Sequence, residues 1–277
     1  MTVKPFAAKP FIVACVQVNA SNDMGANIKI ASQFVRDAAA KGAELVLLPE
    51  NVVMMEHGRD NVIAKALPAE NHPALNAFVA LAKELKIWLH CGSLAIKQDN
   101  GKLANRTFVV NPVGQVIATY DKIHMFDVNL GGGEQYNESA TYNCGTKTAM
   151  VDLPWGKLGL TICYDVRFAH LYRQLAQAGA DFLTVPAAFT QTTGEAHWHI
   201  LLRARAIETG CFVFAPAQTG IHAGNRQTFG HALIIDPWGK ILADAGTAPG
   251  FITVVIDPAM VAATRAKVPS LSLNARF

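Results

Sequence analysis

Three features of the 277-residue sequence predict an α/β fold. Short runs rich in Val, Ile and Leu alternate with longer amphipathic stretches, the pattern of strands followed by helices. Half of the residues (51%) are apolar, which supports a large core and excludes a disordered chain. Two segments also recur. Lys41-Gly-Ala-Glu-Leu-Val-Leu-Leu-Pro49 resembles Ala178-Gly-Ala-Asp-Phe-Leu-Thr-Val-Pro186, and Phe108-Val-Val-Asn-Pro-Val-Gly-Gln-Val-Ile-Ala118 resembles Leu233-Ile-Ile-Asp-Pro-Trp-Gly-Lys-Ile-Leu-Ala243. In each half the order is helix, strand ending in Pro, helix, strand, hairpin. The expectation is two related α/β layers packed into one sandwich, with an internal pseudo-twofold. No linker, Ser-rich stretch or low-complexity segment divides the chain, so residues 1–277 read as a single domain.

The elements follow in order. Phe11–Asn19 holds an apolar run that ends in Gln17 and Asn19. That run is too short for a secretory signal and reads as a buried strand, which makes the cytoplasm the default location. Asn22–Ala40 is a helix, because Ile28, Ala31, Phe34, Val35 and Ala38 fall on one face. Glu44–Pro49 is a strand, Pro73–Leu85 a helix and Ile87–Leu94 a strand. Arg106–Asn111 and Gln115–Tyr120 form a hairpin through Asn-Pro-Val-Gly, where Pro and Gly suit the second and fourth turn positions. Ala149–Leu153 and Leu158–Cys163 are strands. Phe168–Ala178 is a helix with Leu171, Leu175 and Ala178 on one face. The strand Phe182–Pro186, the helix Glu195–Thr209 and the strands Cys211–Gln218, Gly230–Ile235, Lys240–Ala243 and Gly250–Ile256 complete the chain.

Charge excludes several function classes. Lys and Arg number 24 against 21 Asp and Glu, a net +3 with no basic run, which offers nucleic acid no footprint. The mean hydropathy of +0.21 is high, yet no apolar run is long enough for a membrane helix. The surplus apolar surface therefore faces the interior or another subunit. Five cysteines, with no Cys-x-x-Cys, argue for neither a disulfide framework nor a zinc knuckle.

Three reactive groups stand at the ends of apolar runs, where α/β proteins place their sites. Glu50 closes Glu44-Leu-Val-Leu-Leu-Pro-Glu50. Lys122 lies in Tyr120-Asp-Lys-Ile-His-Met-Phe126. Cys163 closes Leu158-Gly-Leu-Thr-Ile-Cys163 and precedes Tyr164-Asp-Val-Arg-Phe168. Taken singly, each has a plainer reading, as a solvated turn charge or a core cysteine.

Taken together, Leu-Leu-Pro-Glu50, Asp-Lys122-Ile-His and Ile-Cys163-Tyr-Asp-Val-Arg-Phe resemble the three motifs of the nitrilase superfamily of carbon–nitrogen hydrolases, in order and spacing. The resemblance runs from the Phe11–Asn19 strand to Arg265-Ala-Lys-Val-Pro-Ser-Leu. It implies a four-layer α-β-β-α sandwich that pairs into a homodimer or higher homo-oligomer, and a Glu50–Lys122–Cys163 triad. In that reading Glu50 takes the thiol proton, and Lys122 favours the thiolate. Lys122 and the Tyr164 backbone N–H hold the oxyanion, about 3–4 kcal/mol per well-placed donor. The acyl group passes through a thioester on Cys163, with no metal and no cofactor. Glu138 matches the family's second Glu, which orients the Lys and the substrate; Glu134 is the nearby competitor. Gly131-Gly-Gly-Glu lacks the Lys-Ser/Thr of a phosphate cradle and reads as an active-site loop.

Arg167 lies four residues after Cys163, one turn along if a helix starts there. It meets a substrate carboxylate or makes a structural salt bridge to Asp165 or Glu208. The segments Gly194-Glu-Ala-His-Trp-His to Glu208 and Gly230-His-Ala-Leu-Ile-Ile-Asp-Pro-Trp-Gly239 look most like the branch of amidases acting on deaminated glutathione. Omega-amidases and N-carbamoyl-amine hydrolases are the neighbouring alternatives. True nitrilases carry Trp-Glu after the cysteine, and Tyr164-Asp165 departs from that. A Cys–His hydrolase would draw on His124, His170 or His199. A zinc hydrolase would need better than the i, i+2 spacing of His197 and His199. A catalytically silent binding or scaffold protein is the non-enzyme alternative. The partners expected are a small-molecule amide and further copies of the chain, with no nucleic acid and no membrane.

Overall fold

The computed structural model describes residues 9–273. The first half contains β1 (Phe11–Val18), α1 (Met24–Ala40), β2 (Leu45–Leu47), α2 (Arg59–Lys65) and α3 (Pro73–Leu85). Four strands follow: β3 (Trp88–His90), β4 (Leu94–Lys97), β5 (Leu103–Val110) and β6 (Val116–Asp121). A small hairpin, β7 (Asp127–Asn129) and β8 (Gln135–Asn137), leads to β9 (Ala149–Leu153) and β10 (Gly156–Leu160). The second half runs through α4 (Ala169–Gln177), β11 (Phe182–Thr184), α5 (Gln191–Thr209) and β12 (Phe212–Ala215). It ends with β13 (Ala217–Ile221), β14 (Gln227–Phe229), β15 (Leu233–Ile235), β16 (Ile241–Asp244), β17 (Gly250–Ile256) and α6 (Ala259–Lys267).

Two sheets carry the molecule. One is ordered β14-β13-β1-β2-β3-β5-β4, with β17 also on β1 and β6 on β5; the other is ordered β16-β15-β12-β11-β10-β9. At the centre of each sheet three strands run parallel: β1, β2 and β3 in the first, β10, β11 and β12 in the second. Strands buried on both faces need apolar residues at every position, which is why these runs show little alternation. The period of two still sorts their contacts. Phe11, Val13, Cys15, Leu45 and Leu47 join Leu158, Leu160 and Phe182 in the core shared by the two sheets. The intervening Ala14, Val16, Val46 and Leu48 pack on Ala31 and Val35 of α1 and Phe78 and Leu81 of α3. Leu171 and Leu175 of α4 and Trp198 and Leu202 of α5 cover the second sheet. The layers are α-β-β-α.

The internal repeat is structural. Both copies of the first motif run from a helix end into a parallel strand, β2 and β11. Both copies of the second are hairpins, β5–β6 and β15–β16, and each carries a register irregularity, at Val109/Val110 and at Ile234/Ile235. In each turn the carboxamide or carboxylate oxygen of the first residue accepts two backbone N–H groups. Asn111 Oδ1 takes Val113 and Gln115; Asp236 Oδ1 takes Trp238 and Lys240.

Several elements differ from the sequence reading, and the strand expected over Ile87–Leu94 is broken between β3 and β4 at Gly92, which has φ +63°. The strand expected over Cys211–Gln218 is two strands in different sheets, and Pro216 marks the crossing because it has no N–H for a ladder. The helix expected from Glu195 starts at Gln191, capped by Thr190, whose hydroxyl accepts from the Thr193 N–H. The strand expected to reach Cys163 stops at Leu160. Helices α2 and α6 were not expected; α2 buries no residue and α6 only Val261, so neither carries an apolar stripe to read. Among the described residues no helix is long and apolar enough to cross a membrane.

Candidate active site

Glu50 follows β2 through Pro49 and is 3% exposed. Its turn is wedged against Gly92, which has φ +63°; a Cβ there would lie 2.0 Å from the Pro49 carbonyl oxygen, so only glycine fits. Both carboxylate oxygens are satisfied. Oε1 accepts from Lys122 Nζ at 3.0 Å and Asn105 Nδ2 at 2.9 Å; Oε2 accepts from the Ala188 N–H at 2.8 Å. Burial pushes this carboxyl up, but Lys122, the Cys163 thiol and the Ala188 N–H outweigh it and hold it below the ordinary carboxylate value.

Lys122 emerges from the end of β6 and is 2% exposed. Its ammonium donates to Glu50 and to both oxygens of Glu138, at 3.0 and 2.8 Å. Burial works against the charge, but Glu138 and Glu50 keep the ammonium protonated well above its usual range. Isolated, each of these buried ions would cost several kcal/mol, so the cluster exists only as a paired set. Glu138 opens a short 3₁₀ turn after β8; it also accepts from the Phe126 N–H at 2.7 Å and from Asn105 at 3.2 Å. Its competitor, Glu134, instead bonds Tyr136 and Thr192.

Cys163 sits at φ +50°, a left-handed conformation that β-carbon sterics disfavour. Two features hold it there. Its N–H donates to the Pro186 carbonyl at 3.0 Å. The Asp165 carboxylate, fully buried, accepts from the Ile162 N–H, the Tyr120 hydroxyl, and the His124 N–H and Nδ1. Tyr120 and His124 flank Lys122, so Asp165 ties the cysteine turn to the lysine strand. The turn is a 3₁₀ helix over Cys163–Arg167, not the start of an α-helix. Burial and Glu50 push the thiol well above its usual range, only partly countered by Lys122. The resting state is thiol, carboxylate and ammonium. Lys122 pulls toward the thiolate, but burial and Glu50 outweigh it.

A cavity of about 590 Å³ opens over these groups, lined by Glu50, Lys122, Glu138, Cys163 and Tyr164 and walled by Phe189. That volume suits a small ligand. The Tyr164 backbone N–H has no acceptor among the described residues. The glycines of the Gly131–Gly133 segment form the tip of the β7–β8 hairpin, and Gly133 reaches the cavity. Arg167 does not line it. Its guanidinium lies over the Tyr164 and Phe189 rings, 5.7 and 5.3 Å from their centroids, beside His197. The salt bridges considered for it are absent: Asp165 is occupied as above, and Glu208 pairs with Arg205.

The histidine readings fail on placement. His124 bonds Asp165 and stacks on Phe168, and His170 packs against the same pair. His197 meets Arg167 rather than His199. His199 instead converges with His231 and Asp244, whose ligand atoms lie within 4.8 Å of one another. This is the one such cluster among the described residues, and none of the three lines the cavity. Sequence reasoning missed Asn105, Asp165 and Ala188. Asn105 belongs to no motif, Asp165 lies in the cysteine motif but was read only as a possible partner of Arg167, and Ala188 contributes through its backbone.

Comparison with known proteins agrees with this architecture. A relative in Synechocystis named deaminated glutathione amidase is 42% identical over 268 residues, covering 95% of this chain and 97% of that protein. The crystal structure of the C. elegans NitFhit protein superposes with a TM-score of 0.91 at 35% identity, covering 97% of this chain and 66% of that one. Saccharomyces cerevisiae Nit3, described as a member of branch 10 of the nitrilase superfamily, superposes with a TM-score of 0.87 at 29% identity over the full length of both. The carbon-nitrogen hydrolase profile matches residues 12–266, and the chain belongs to that family.

Proposed function

We propose that the protein is an amidase that works through a thioester on Cys163. The observation that carries this reading is a buried thiol facing an ionised carboxylate, with a buried ammonium on the same carboxylate, at the floor of a ligand-sized cavity. Glu50 takes the thiol proton as the sulfur attacks the amide carbon. The carbonyl electron pair moves onto oxygen, where the Tyr164 N–H and Lys122 receive it. The ammonium donates to Glu50 and to both oxygens of Glu138, so the oxyanion takes a share of one of these N–H groups. The tetrahedral adduct collapses, the C–N bond breaks, and Glu50 returns its proton to the leaving nitrogen. Water then gives a proton to Glu50 and attacks the thioester, releasing the acid and restoring the thiol. Glu138 orients Lys122 without touching the reacting atoms. Arg167 braces the Tyr164 and Phe189 wall.

The substrate we propose is deaminated glutathione, on the strength of the relative so named in Synechocystis. The experiment is release of cysteinylglycine from deaminated glutathione, with Cys163→Ala as the blank. Release that vanishes in a folded variant supports nucleophile and substrate together. Failure to release it removes the substrate while leaving other linear amides to be tried. Turnover by Cys163→Ala at the native rate overturns the mechanism. We also propose a homo-oligomer: Ile200 and Ile207, seven residues apart on α5, and Trp238 are 69%, 54% and 58% exposed, an apolar face suited to a second copy. Light scattering on the purified chain reads its mass.

A further inference from the structure

The three Lys and Arg side chains among the cavity-lining residues differ in their partners. Lys122 is enclosed by Glu50 and Glu138. Arg59 pairs with Asp60 and bonds the Ala140 carbonyl. Arg226 has no carboxylate within ion-pair distance among the described residues, although it is half-buried. One of its terminal nitrogens donates to the Ala188 carbonyl at 2.8 Å, and its guanidinium lies 5.4 Å from the Tyr136 ring centroid. Its Nε is buried with no partner. The backbone fixes its approach: the Arg226 carbonyl accepts from the His222 N–H, and Gly224 and Asn225 between them adopt left-handed conformations at φ 69° and 59°. A planar cation has thus been positioned and left without a counter-ion, a costly arrangement unless a ligand completes it.

Its position relative to the chemistry is equally specific. The Ala188 unit that accepts from Arg226 donates its own N–H to Glu50 Oε2. One residue therefore separates the guanidinium from the proposed general base. We propose that Arg226 is a carboxylate-binding subsite of the cavity, receiving a carboxylate of the amide substrate and selecting for acidic substrates. The assignment rests on the amidase reading for its kinetics. The residue differs from Arg167, for which the sequence left carboxylate binding and a structural salt bridge as alternatives. The carboxylate belongs to the acyl part or to the leaving group, and the test separates the two.

Three amides serve as substrates: one with a carboxylate on the acyl side, one with it on the leaving amine, and one neutral. In Arg226→Gln the ratio of kcat/KM for one acidic amide over the neutral amide should fall about 10- to 100-fold, chiefly through KM. Whichever acidic amide loses preference identifies the source. Arg226→Lys should restore part of the ratio, since it keeps the charge without the planar fork. A loss shared equally by all three amides would mean that Arg226 only supports the Ala188 peptide, and would overturn the proposal. Calorimetry with glutarate gives a readout that needs no turnover. Glutarate should bind Cys163→Ala and lose at least tenfold in affinity when Arg226→Gln is added. Equal binding by the two proteins, or none by Cys163→Ala, would overturn the subsite. Retained glutarate selectivity without hydrolysis of any amide would instead overturn the amidase reading alone.

Discussion

Two strand ends in this molecule come from the same sequence pattern and do different work. Each follows a helix, then Gly-Ala and an acidic residue, then a parallel strand followed by Pro: β2 leads to Pro49-Glu50, β11 leads to Pro186-Ala187-Ala188. They meet across the sandwich. The first end delivers a side chain, the Glu50 carboxylate. The second delivers main chain: the Pro186 carbonyl accepts from the Cys163 N–H, and the Ala188 N–H donates to Glu50. The scaffold is twofold while the chemistry is one-sided. A pseudo-symmetric fold can hold an asymmetric site because backbone groups are the same in both halves and side chains are not.

The sharpest way to break this comparison is to neutralise the side-chain end while keeping its shape. Glu50→Gln keeps the shape and one acceptor oxygen, which serves either Ala188 or the Lys122 and Asn105 side, and it accepts no proton. We expect kcat for amide hydrolysis to fall about 10²- to 10⁴-fold with the fold intact. A fall below tenfold would move the base elsewhere. The pH profile tests the same group. Glu50 is held below the ordinary carboxylate value, and Cys163 and Lys122 are pushed above theirs. The active state, with Glu50 ionised, is thus present throughout the neutral range and is lost only as pH falls through the depressed Glu50 value. Rates should be flat from pH 6 to 8. A titration inside that window would place a histidine in the mechanism.

A smaller loss is expected where the two ends are tied together. Asp165 accepts from four donors on both sides of the Lys122–Cys163 gap. Asp165→Asn keeps the volume but cannot accept from all four, because its amide nitrogen only donates. The variant should lose about 1–3 kcal/mol of stability, the cost of a buried donor left unmade. Its kcat should fall more than its KM rises, since the substrate contacts remain. Chemical denaturation and steady-state kinetics on the same preparation separate the two effects. Unchanged kcat would make the Asp165 clamp purely structural.

How much of this was legible depended on what kind of group did the work. Glu50, Lys122 and Cys163 could be singled out because reactive side chains at the ends of apolar runs are conspicuous. The core strands were visible as short apolar runs and the four main helices as the longer stretches between them. Asp165 was visible only as a neighbour of the cysteine; its role depends on Tyr120 and His124, more than forty positions away along the chain, which only the fold brings near. Asn105 sits in an ordinary strand. Ala188 has no functional group beyond its peptide. The left-handed turn at Cys163 gave no signal because cysteine is an unusual residue to find there.

The repeat offers the mildest test, in two turns that lie outside the cavity. Asn111 and Asp236 cap matching hairpins, each through one oxygen and two backbone N–H groups at 2.9–3.2 Å and 2.9 Å respectively. Truncation to Ala removes both bonds in either turn. If the halves were equivalent, the costs would match. They should not, because Asp236 is 5% exposed and ionic whereas Asn111 is half-buried and neutral. Hydrogen bonds to a charged group are worth more, and the N–H groups stranded beside Asp236 have less access to water. We expect about 1 kcal/mol of lost stability for Asn111→Ala and about 2 kcal/mol for Asp236→Ala, read from denaturation midpoints, with no change in kcat for either. The reverse order would mean that burial does not distinguish the two turns. A change in kcat would mean that the hairpins reach the site, and the separation between a twofold scaffold and a one-sided chemistry would not hold.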